Sequence, residues 1–345
     1  MEMEKARIAI VGLNFGKHII DSIRTGPASK FFELAAICDI DAQKTDRMSA
    51  ELAVPGYTDL DHLLRDPSIP AVGLFTGPVG RAELVRKIIR AGKHVMTTKP
   101  FELDESAALD VLHEARRLGK AVHLNSPSPL PTADLQQALR WRQMLNLGRP
   151  VACQCATWVS YREEADGKWY DDPRLCPVAP IFRLGIYLIN DLIRLIGLPR
   201  SVQATHSRLF TRRPTPDNAQ LTILFEDGAI ANIFASFCVN DGRPYENSMT
   251  LCFENGTVYR NVGTATKTKP PGMTRMSVVA MMGKEQVRED VLLPQASGEY
   301  QWDVFRRAVA GQDLPSEISP EQIVAGIKTV NAMARAEQSG ASETL

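Results

Sequence analysis

The segment from Gly12 to Gly16, which follows an apolar run of β-branched residues, has the composition of a phosphate-binding turn. Such a turn needs glycine where the backbone bends tightly and approaches a pyrophosphate, and the helix after it supplies N–H donors and a positive dipole end. Asn14 stands at the second glycine position, and we expect it to be tolerated because asparagine enters left-handed conformations more readily than most residues. The turn therefore predicts that Gly12, Asn14, Phe15 and Gly16 contact a dinucleotide.

Asp39 strengthens this interpretation. It lies 23 residues after Gly16, at the end of the second apolar run, where a carboxylate can accept hydrogen bonds from the ribose diol of an adenosine. An ordinary turn-forming aspartate is the alternative. A carboxylate there also repels a 2′-phosphate, which favours NAD over NADP, although Lys44 and Arg47 nearby weaken that preference.

The elements that must hold these residues alternate in type over residues 1–126. Short, nearly continuous apolar runs, typical of strands buried on both faces, alternate with helical segments at 17–24, 42–52 and 84–91. This alternation predicts a parallel, doubly wound sheet that binds ligands beyond the carboxyl ends of its strands. Thr76 and Pro78 follow one such strand and Asn125 follows the last, so they are further candidate cofactor contacts. Asn125 could instead only cap its turn.

Residues 127–345 have a different character, because apolar and polar residues alternate as in an antiparallel sheet. Turn sequences at 226–228 and 254–256 join successive strands. Helices are predicted at 133–147, 182–197, 300–310 and 320–337. We therefore expect two domains, 1–126 and 127–345, the second of α+β type, with C-terminal helices that could pack back on the first domain.

The helix that begins near Phe182 carries a second group of candidate residues, which are spaced four, three and four apart and so share one face: Arg183, Tyr187, Asn190 and Arg194. A solvated helix face is the alternative interpretation. In the preceding loop, Trp169 and Tyr170 could form an aromatic wall for a sugar ring or could serve as buried anchors.

The composition excludes several classes of partner. The 345 residues include 40 basic and 40 acidic side chains, and this zero net charge argues against nucleic acids and membrane surfaces. No apolar stretch reaches the ~20 residues of a membrane helix, and no signal peptide is evident. The six cysteines show no metal-ligand spacing, so no metal is predicted, and reduced thiols favour a cytoplasmic location. A small-molecule partner is expected.

Two motifs resemble those of a known family. Residues 91–95 and 97–100, AGKHV and TTKP, resemble the "AGKHV...EKP" segment of the Gfo/Idh/MocA oxidoreductases, and LGIY at 184–187 resembles their "D.GIH" helix. The likeness extends over nearly the whole chain. It implies an N-terminal Rossmann domain and a C-terminal α+β domain with a large, mainly antiparallel open sheet that forms homodimer or homotetramer contacts. It also implies the oxidation or reduction of sugars and cyclic polyols with NAD or NADP.

The resemblance implies roles for Lys99 and Tyr187. Lys99 would lie at the strand edge beside the nicotinamide, whereas a surface lysine is the alternative. Tyr187 and Asn190 match the branch similar to glucose–fructose oxidoreductases and dihydrodiol dehydrogenases, in which "GIY..N" replaces "GIH..D" and tyrosine carries the proton. A tyrosine titrates near ~10, and a neighbouring ammonium favours its phenolate form. The hypothesis is a Lys99–Tyr187 acid–base pair that acts on a secondary alcohol or ketone.

Some positions depart from the family pattern. Arg183 stands where the family has an aspartate, Thr98 replaces a glutamate, and Ala179-Pro180 replaces glycines. An arginine can bind a carboxylate or phosphate in bidentate fashion, so an acidic sugar is a candidate substrate. The departures also leave open a catalytically silent, NAD(P)-binding sensor or co-repressor similar to the galactose-regulon repressor of yeasts. Retention of Lys99 and Tyr187 favours the enzyme.

Overall fold

Alternating strands and helices begin the chain, as the sequence predicts. The computed structural model describes residues 4–160, 164–242, 245–263, 270–312 and 317–345. The helices in this part of the chain are α1 (Leu13–Thr25), α2 (Ala42–Leu52), α3 (Leu60–Leu64), α4 (Arg81–Arg90), α5 (Glu105–Arg117), α6 (Ala133–Met144), α7 (Ile186–Leu195), α8 (Trp302–Val309) and α9 (Pro320–Ser339).

The strands of the first third are β1 (Ala6–Val11), β2 (Phe32–Cys38), β3 (Gly56–Tyr57), β4 (Ala71–Leu74), β5 (His94–Thr97) and β6 (Val122–Leu124). The later strands are β7 (Pro150–Trp158), β8 (Pro199–Ser207), β9 (Asn218–Phe225), β10 (Ile230–Ser236), β11 (Asn247–Phe253), β12 (Gly256–Arg260), β13 (Met273–Met282), β14 (Glu285–Pro294) and β15 (Glu343–Thr344).

The chain divides into two compact units. Unit 1 comprises Met1–Leu130 and Glu299–Pro320, and unit 2 comprises Pro131–Gly298 and Glu321–Leu345. The segment that contains α8 therefore belongs with the N-terminal residues, while all of α9 after Pro320 belongs to unit 2.

Unit 1 contains a parallel six-stranded sheet in the order β3-β2-β1-β4-β5-β6. Every residue of β4 and β5 is buried, as expected of strands covered on both faces. The strand order reverses at β1, so a crevice forms beyond the carboxyl ends of β1 and β4. Helix α8 packs on this core through Phe305, whose ring centroid lies 5.4 Å from that of Phe32.

Unit 2 contains a nine-stranded sheet in the order β14-β13-β12-β11-β7-β10-β9-β8-β15. Among the described strand pairs of this sheet, β7 and β10 run parallel and the others run antiparallel. The predicted fold class is therefore confirmed. The alternation is clear in β9, where Ala219, Leu221, Ile223 and Phe225 are buried. A π-helical turn, Ile181–Gly185, precedes α7.

Some boundaries differ from those predicted. Helix α1 begins at Leu13 rather than at residue 17, because the glycine turn occupies only Gly12 before the helix starts. The sequence analysis did not identify α5, β13 or β14. None of the helices in the described residues is long and apolar enough to span a bilayer.

Candidate active site

The glycine turn joins β1 to α1 by a close approach of two backbones. Gly12 has a φ of 86°, and a Cβ there would lie 2.7 Å from the carbonyl carbon of Phe75. A Cβ on Gly16 would lie 2.8 Å from Cγ2 of Ile10. Both positions therefore require glycine, the first for conformation and space and the second for close packing of helix on strand.

Asn14 needs a different explanation from the one that the sequence suggested. It lies in the first turn of α1 with its side chain exposed, and it is not among the described residues with positive φ. The left-handed preference of asparagine is therefore irrelevant here. An exposed helical position accepts many residue types, and the amide oxygen of Asn14 accepts a hydrogen bond from Nζ of Lys44 at 3.0 Å.

Asp39 lies between the glycine turn and the end of β2. Its Oδ2 accepts a hydrogen bond from the backbone N–H of Leu13 at 2.8 Å, and its Oδ1 accepts one from Asp41 at 3.1 Å. Nζ of Lys44 lies 3.7 Å from the same carboxylate. The carboxylate is thus fixed beside the turn, and a cation stands next to it.

This edge of unit 1 fits a dinucleotide. Gly12 has no side chain that could cap α1, and a Cβ there would meet the backbone of Phe75, so main-chain groups form the helix N-terminus, whose positive dipole end favours an anion. Thr76 belongs to the same edge, because its backbone N lies 3.0 Å from that Cβ position. Phe15 is 44% exposed and its ring lies 5.7 Å from that of Phe75. Pro78 follows Thr76 and is buried.

Lys99 is held at the ends of β5 and β6. Its backbone N–H donates to Oδ1 of Asn125 at 3.3 Å, and the hydroxyl of Thr98 donates to the same oxygen at 3.3 Å. Asn125 is buried, so it ties two neighbouring strand ends together. The peptide bond between Lys99 and Pro100 is cis.

Arg81, which the sequence analysis missed, lies beneath this loop. It is only 2% exposed, and its Nη1 donates to the carbonyl oxygens of Thr98 and Pro100, each at 2.7 Å. Its Nη2 donates to the carbonyl of Thr76. Burial lowers the pKa of Arg81 to about 10, while Tyr300 and Glu102 oppose that shift, so the guanidinium is charged at neutral pH. A lone arginine three residues before the helix predicted at 84–91 carries no sequence signal for such a role.

The candidate group in unit 2 packs around the π-helical turn. The guanidinium carbon of Arg183 lies 4.8 Å from the ring centroid of Tyr170 and 4.9 Å from that of Phe237. Arg213 lies 4.9 Å from the Tyr170 ring. Nζ of Lys168 lies 5.8 Å from the centroid of the same ring. Tyr170 is thus in contact with three cations, an arrangement that aromatic rings favour.

Trp169 and Tyr170 are half-buried and fixed by further contacts. The Trp169 ring lies 6.0 Å from that of Phe182, and the Tyr170 hydroxyl donates to Asp166 at 2.7 Å. Arg213 forms a buried ion pair with Asp171 at 3.0 Å. The loop that carries both aromatic residues is therefore anchored to the second unit's core.

Tyr187 and Asn190 pack against glycines. A Cβ on Gly298, whose φ is 80°, would lie 3.1 Å from the Tyr187 ring. A Cβ on Gly326 of α9 would lie 2.3 Å from Oδ1 of Asn190. Asn190 is buried, whereas Tyr187 is half-buried. Tyr187 and Arg183 thus lie in unit 2, whereas Lys99 and the glycine turn lie in unit 1.

Sequence profiles of one family match both units. The profile described as "Oxidoreductase family, NAD-binding Rossmann fold" matches residues 6–126, and the "GFO/IDH/MocA C-terminal domain" profile matches residues 135–259. The chain belongs to the Gfo/Idh/MocA oxidoreductase family. The predicted NAD-binding Rossmann domain is therefore confirmed.

Relatives with curated names match parts of the chain. An uncharacterized oxidoreductase of Schizosaccharomyces pombe is 32% identical over 179 residues, which cover 50% of this chain and 47% of the relative. The inositol 2-dehydrogenase/D-chiro-inositol 3-dehydrogenase of Lactiplantibacillus plantarum is 25% identical over 122 residues, 34% of each chain. The matched region spans about half the length of the first relative and about a third of the second.

Solved structures share the whole fold. GenD2 from gentamicin A biosynthesis, in complex with NAD, has a TM-score of 0.74 at 19% identity, covering 100% of this chain and 97% of its own. The WlbA dehydrogenase of Bordetella pertussis, in complex with NADH and UDP-GlcNAcA, has a TM-score of 0.73 at 18% identity, covering 99% of each chain. At these identities the likeness shows the fold.

Proposed function

We propose that the protein is an NAD(P)-dependent oxidoreductase that transfers hydride between nicotinamide and a secondary alcohol or ketone of a sugar, sugar acid or cyclic polyol. The observation that carries this proposal is the fixing of Lys99 by Asn125 and Arg81 at the carboxyl ends of β5 and β6. In a doubly wound domain with an open glycine turn, that edge faces the ligand.

In the proposed reaction, Lys99 and Tyr187 act together as the acid–base pair. A cofactor held at the glycine turn and Asp39 would supply a nicotinamide as hydride acceptor or donor for the reacting carbon. Tyr187 takes the hydroxyl proton in oxidation and gives it back in reduction, while the Lys99 ammonium donates a hydrogen bond to the reacting oxygen and favours the phenolate form of the tyrosine. Atoms and charge balance in both directions, because one hydride and one proton leave or enter together.

The substrate class follows from the cation in unit 2 and from relatives. Arg183, stacked on Tyr170 and Phe237, would place a fixed positive charge beside a sugar ring that contacts Trp169 and Tyr170. This arrangement favours substrates with a carboxylate. Two structural neighbours bind sugars with and without an acidic group: WlbA is in complex with UDP-GlcNAcA, and levoglucosan dehydrogenase is in complex with NADH and L-sorbose. Asn190 would hold the helix that presents these residues.

The nine-stranded sheet supports a proposal of self-association. Its outward side chains, such as Gln154, Trp158, Asn232 and Phe234, line a shared concavity, and the Trp158 and Phe234 rings lie 6.4 Å apart. A second copy of the chain would cover this face in a homodimer or homotetramer. We expect light scattering on the purified protein to show a mass that is a multiple of 38.1 kDa.

The first experiment follows NADH absorbance and fluorescence while paired neutral sugars, sugar acids and inositols are added with NAD or NADP. Reduction of the cofactor by one class is the expected result, with sugar acids preferred over their neutral partners. Tight cofactor binding without turnover across the panel would instead support a silent sensor.

The Tyr187→Phe variant then tests the proton carrier. We expect kcat to fall by about 10²- to 10⁴-fold, with the Kd for NADH unchanged, because only the hydroxyl is removed. Tyr259→Phe on β12 is the matched control and should retain wild-type turnover. Wild-type kcat in Tyr187→Phe would remove the tyrosine from the mechanism.

A further inference from the structure

Arg81 bridges the ends of two neighbouring parallel strands. Thr76 lies just beyond β4 and Thr98 just beyond β5, and the Arg81 guanidinium donates to the carbonyl oxygens of both. It also donates to the carbonyl of Pro100 at 2.7 Å. Two of these carbonyls stand immediately before and after Lys99, so the side chain holds the main chain on both sides of that residue.

A guanidinium is suited to this task. It is planar and carries five N–H donors in a fixed geometry, whereas a lysine ammonium is a point charge that rotates. Carbonyls beyond a strand end have no partner in the sheet ladder, and a buried carbonyl without a hydrogen bond is costly. Arg81 satisfies three such groups with one rigid side chain that is 2% exposed, and its Nη1 also donates a longer bond of 3.4 Å to the carbonyl of Phe101.

We propose that Arg81 is a positioning residue: it sets the main-chain path through Thr98, Lys99 and Pro100 and joins it to Thr76, and so fixes the edge that contacts the nicotinamide half of the cofactor. The proposal rests on the proposed function, since it takes Lys99 to face the nicotinamide. Because Arg81 is 2% exposed, it acts through this main chain rather than by direct contact with a ligand.

Glu102 provides a matched contrast at the same depth. It is also 2% exposed, and its Oε2 accepts the backbone N–H of Ala82 at 2.8 Å while Oε1 accepts that of Leu103 at 2.7 Å. Glu102 therefore stabilises the start of α4, as an acidic group at a helix N-terminus does. A purely stabilising role for Arg81 would give its variants the same behaviour as Glu102→Gln.

The test compares Arg81→Met and Arg81→Lys with Glu102→Gln in binding NADH and ADP-ribose, which lacks the nicotinamide. In both Arg81 variants we expect the Kd for NADH to rise by about tenfold and that for ADP-ribose to change by less than about twofold, because a small misplacement at the reacting edge is costly. Glu102→Gln should lower Tm and leave the ratio of the two constants at the wild-type value. Arg81→Lys retains the charge but cannot hold both strand ends, so a wild-type ratio in that variant would overturn the proposal.

Equal weakening of both ligands, or the same ratio change in Glu102→Gln, would also overturn it. If Arg81→Met does not fold, Arg81→Lys decides. The wild-type protein gives an independent measurement: NADH but not ADP-ribose should slow amide hydrogen exchange in residues 98–103, and equal protection by both would contradict the proposal.

Turnover separates this proposal from the proposed function. Where the panel provides a substrate, Arg81→Met should lower kcat by about a hundredfold with a smaller change in KM. A wild-type protein that turns over no substrate would overturn the proposed function, yet the binding ratio would still test Arg81.

Discussion

Both units bury arginine side chains, and Arg81 of unit 1 differs from Arg260 of unit 2 in its partners. Arg81 in unit 1 donates to main-chain carbonyls beyond two strand ends. Arg260 in unit 2 forms ion pairs with Asp134 of α6 at 2.8 Å and Asp191 of α7 at 2.7 Å. The pKa of Arg81 is lowered by burial, whereas the pKa of Arg260 is raised because the two carboxylates outweigh burial.

The difference indicates what each arginine does. A cation balanced by carboxylates on two helices joins elements of the core, and its removal leaves uncompensated charges. A cation bound by main-chain carbonyls fixes the conformation of the backbone that it contacts. Its removal leaves those carbonyls without their hydrogen bonds and allows that backbone to shift. We therefore expect Arg260 to govern stability and Arg81 to govern the geometry of the ligand-binding edge.

The two units also bury titratable groups whose pKa values shift in opposite directions. Burial lowers the pKa of His123 to about 3, and burial with Lys120 lowers that of His94 to about 4, in unit 1. Nδ1 of His94 accepts a hydrogen bond from the backbone N–H of Ala121 at 3.1 Å, which gives this buried ring a structural role. In unit 2, burial raises the pKa of Asp191 to about 6, although Arg260 opposes that shift.

The largest expected effect is the loss of the ion pairs of Arg260. Arg260→Leu leaves Asp134 and Asp191 as unpaired buried carboxylates, so the free energy of unfolding should fall by about 3 to 5 kcal/mol. Guanidinium denaturation followed by circular dichroism measures it.

Replacement of all three residues by leucine is the control and should recover most of the loss, because no charge remains buried. If the free energy of unfolding of Arg260→Leu falls by less than about 1 kcal/mol, the ion pairs of Arg260 do not govern stability, and the contrast with Arg81 fails.

A fall in pH should change the stability of the two units in opposite directions. The folded pKa of His123 lies below its unfolded value of about 6.5, so the stability that its neutral form contributes is present above that value and is lost as pH falls. At pH 5 the loss should be about 2 kcal/mol in unit 1. Asp191 has a folded pKa above its unfolded value of about 3.9, so its contribution is lost as pH rises from about 4 to 6, and acid favours unit 2.

Hydrogen exchange read by mass spectrometry, corrected for intrinsic rates, measures each unit at pH 7 and pH 5. His123→Leu, which removes the titrating ring that packs 5.3 Å from Phe305, should reduce the acid sensitivity of unit 1 and leave unit 2 unchanged. Equal loss of protection in both units would contradict the predicted difference.

The smallest expected effect concerns a half-buried cation at the surface, Lys44, which contacts both Asn14 and Asp39. Its ammonium offsets the repulsion between Asp39 and a 2′-phosphate, so Lys44→Met should weaken NADPH binding by roughly fivefold and leave NADH binding nearly unchanged, as solvent screens the charge. Fluorescence titration measures the Kd for NADPH and the Kd for NADH.

The control is Lys87→Met, which removes an exposed ion pair with Asp61 and should leave the ratio of the two Kd values at the wild-type value. An unchanged ratio in Lys44→Met would show that Lys44 does not influence the choice between the two cofactors.

Much of unit 1 could be predicted because its signals are local. The order of apolar run, Gly12 turn, helix and Asp39 lies within 35 residues of sequence, and each part has its own physical requirement for space, dipole or charge. The start of α1 was placed late because the helix includes Asn14 and Phe15, which the sequence analysis assigned to the turn.

The sequence by itself determined the alternation that makes a doubly wound sheet, the period of two that makes the antiparallel sheet, and the glycines that allow close backbone approach. These properties depend on neighbours along the chain. Only the tertiary structure decided the partners of three side chains. Arg81 donates hydrogen bonds to the carbonyls of Thr98 and Thr76, and Asn125 accepts one from the backbone of Lys99. Arg260 forms ion pairs with Asp134 and Asp191. Such contacts depend on which strands and helices lie side by side, because a side chain chooses partners by distance in space rather than by separation in sequence.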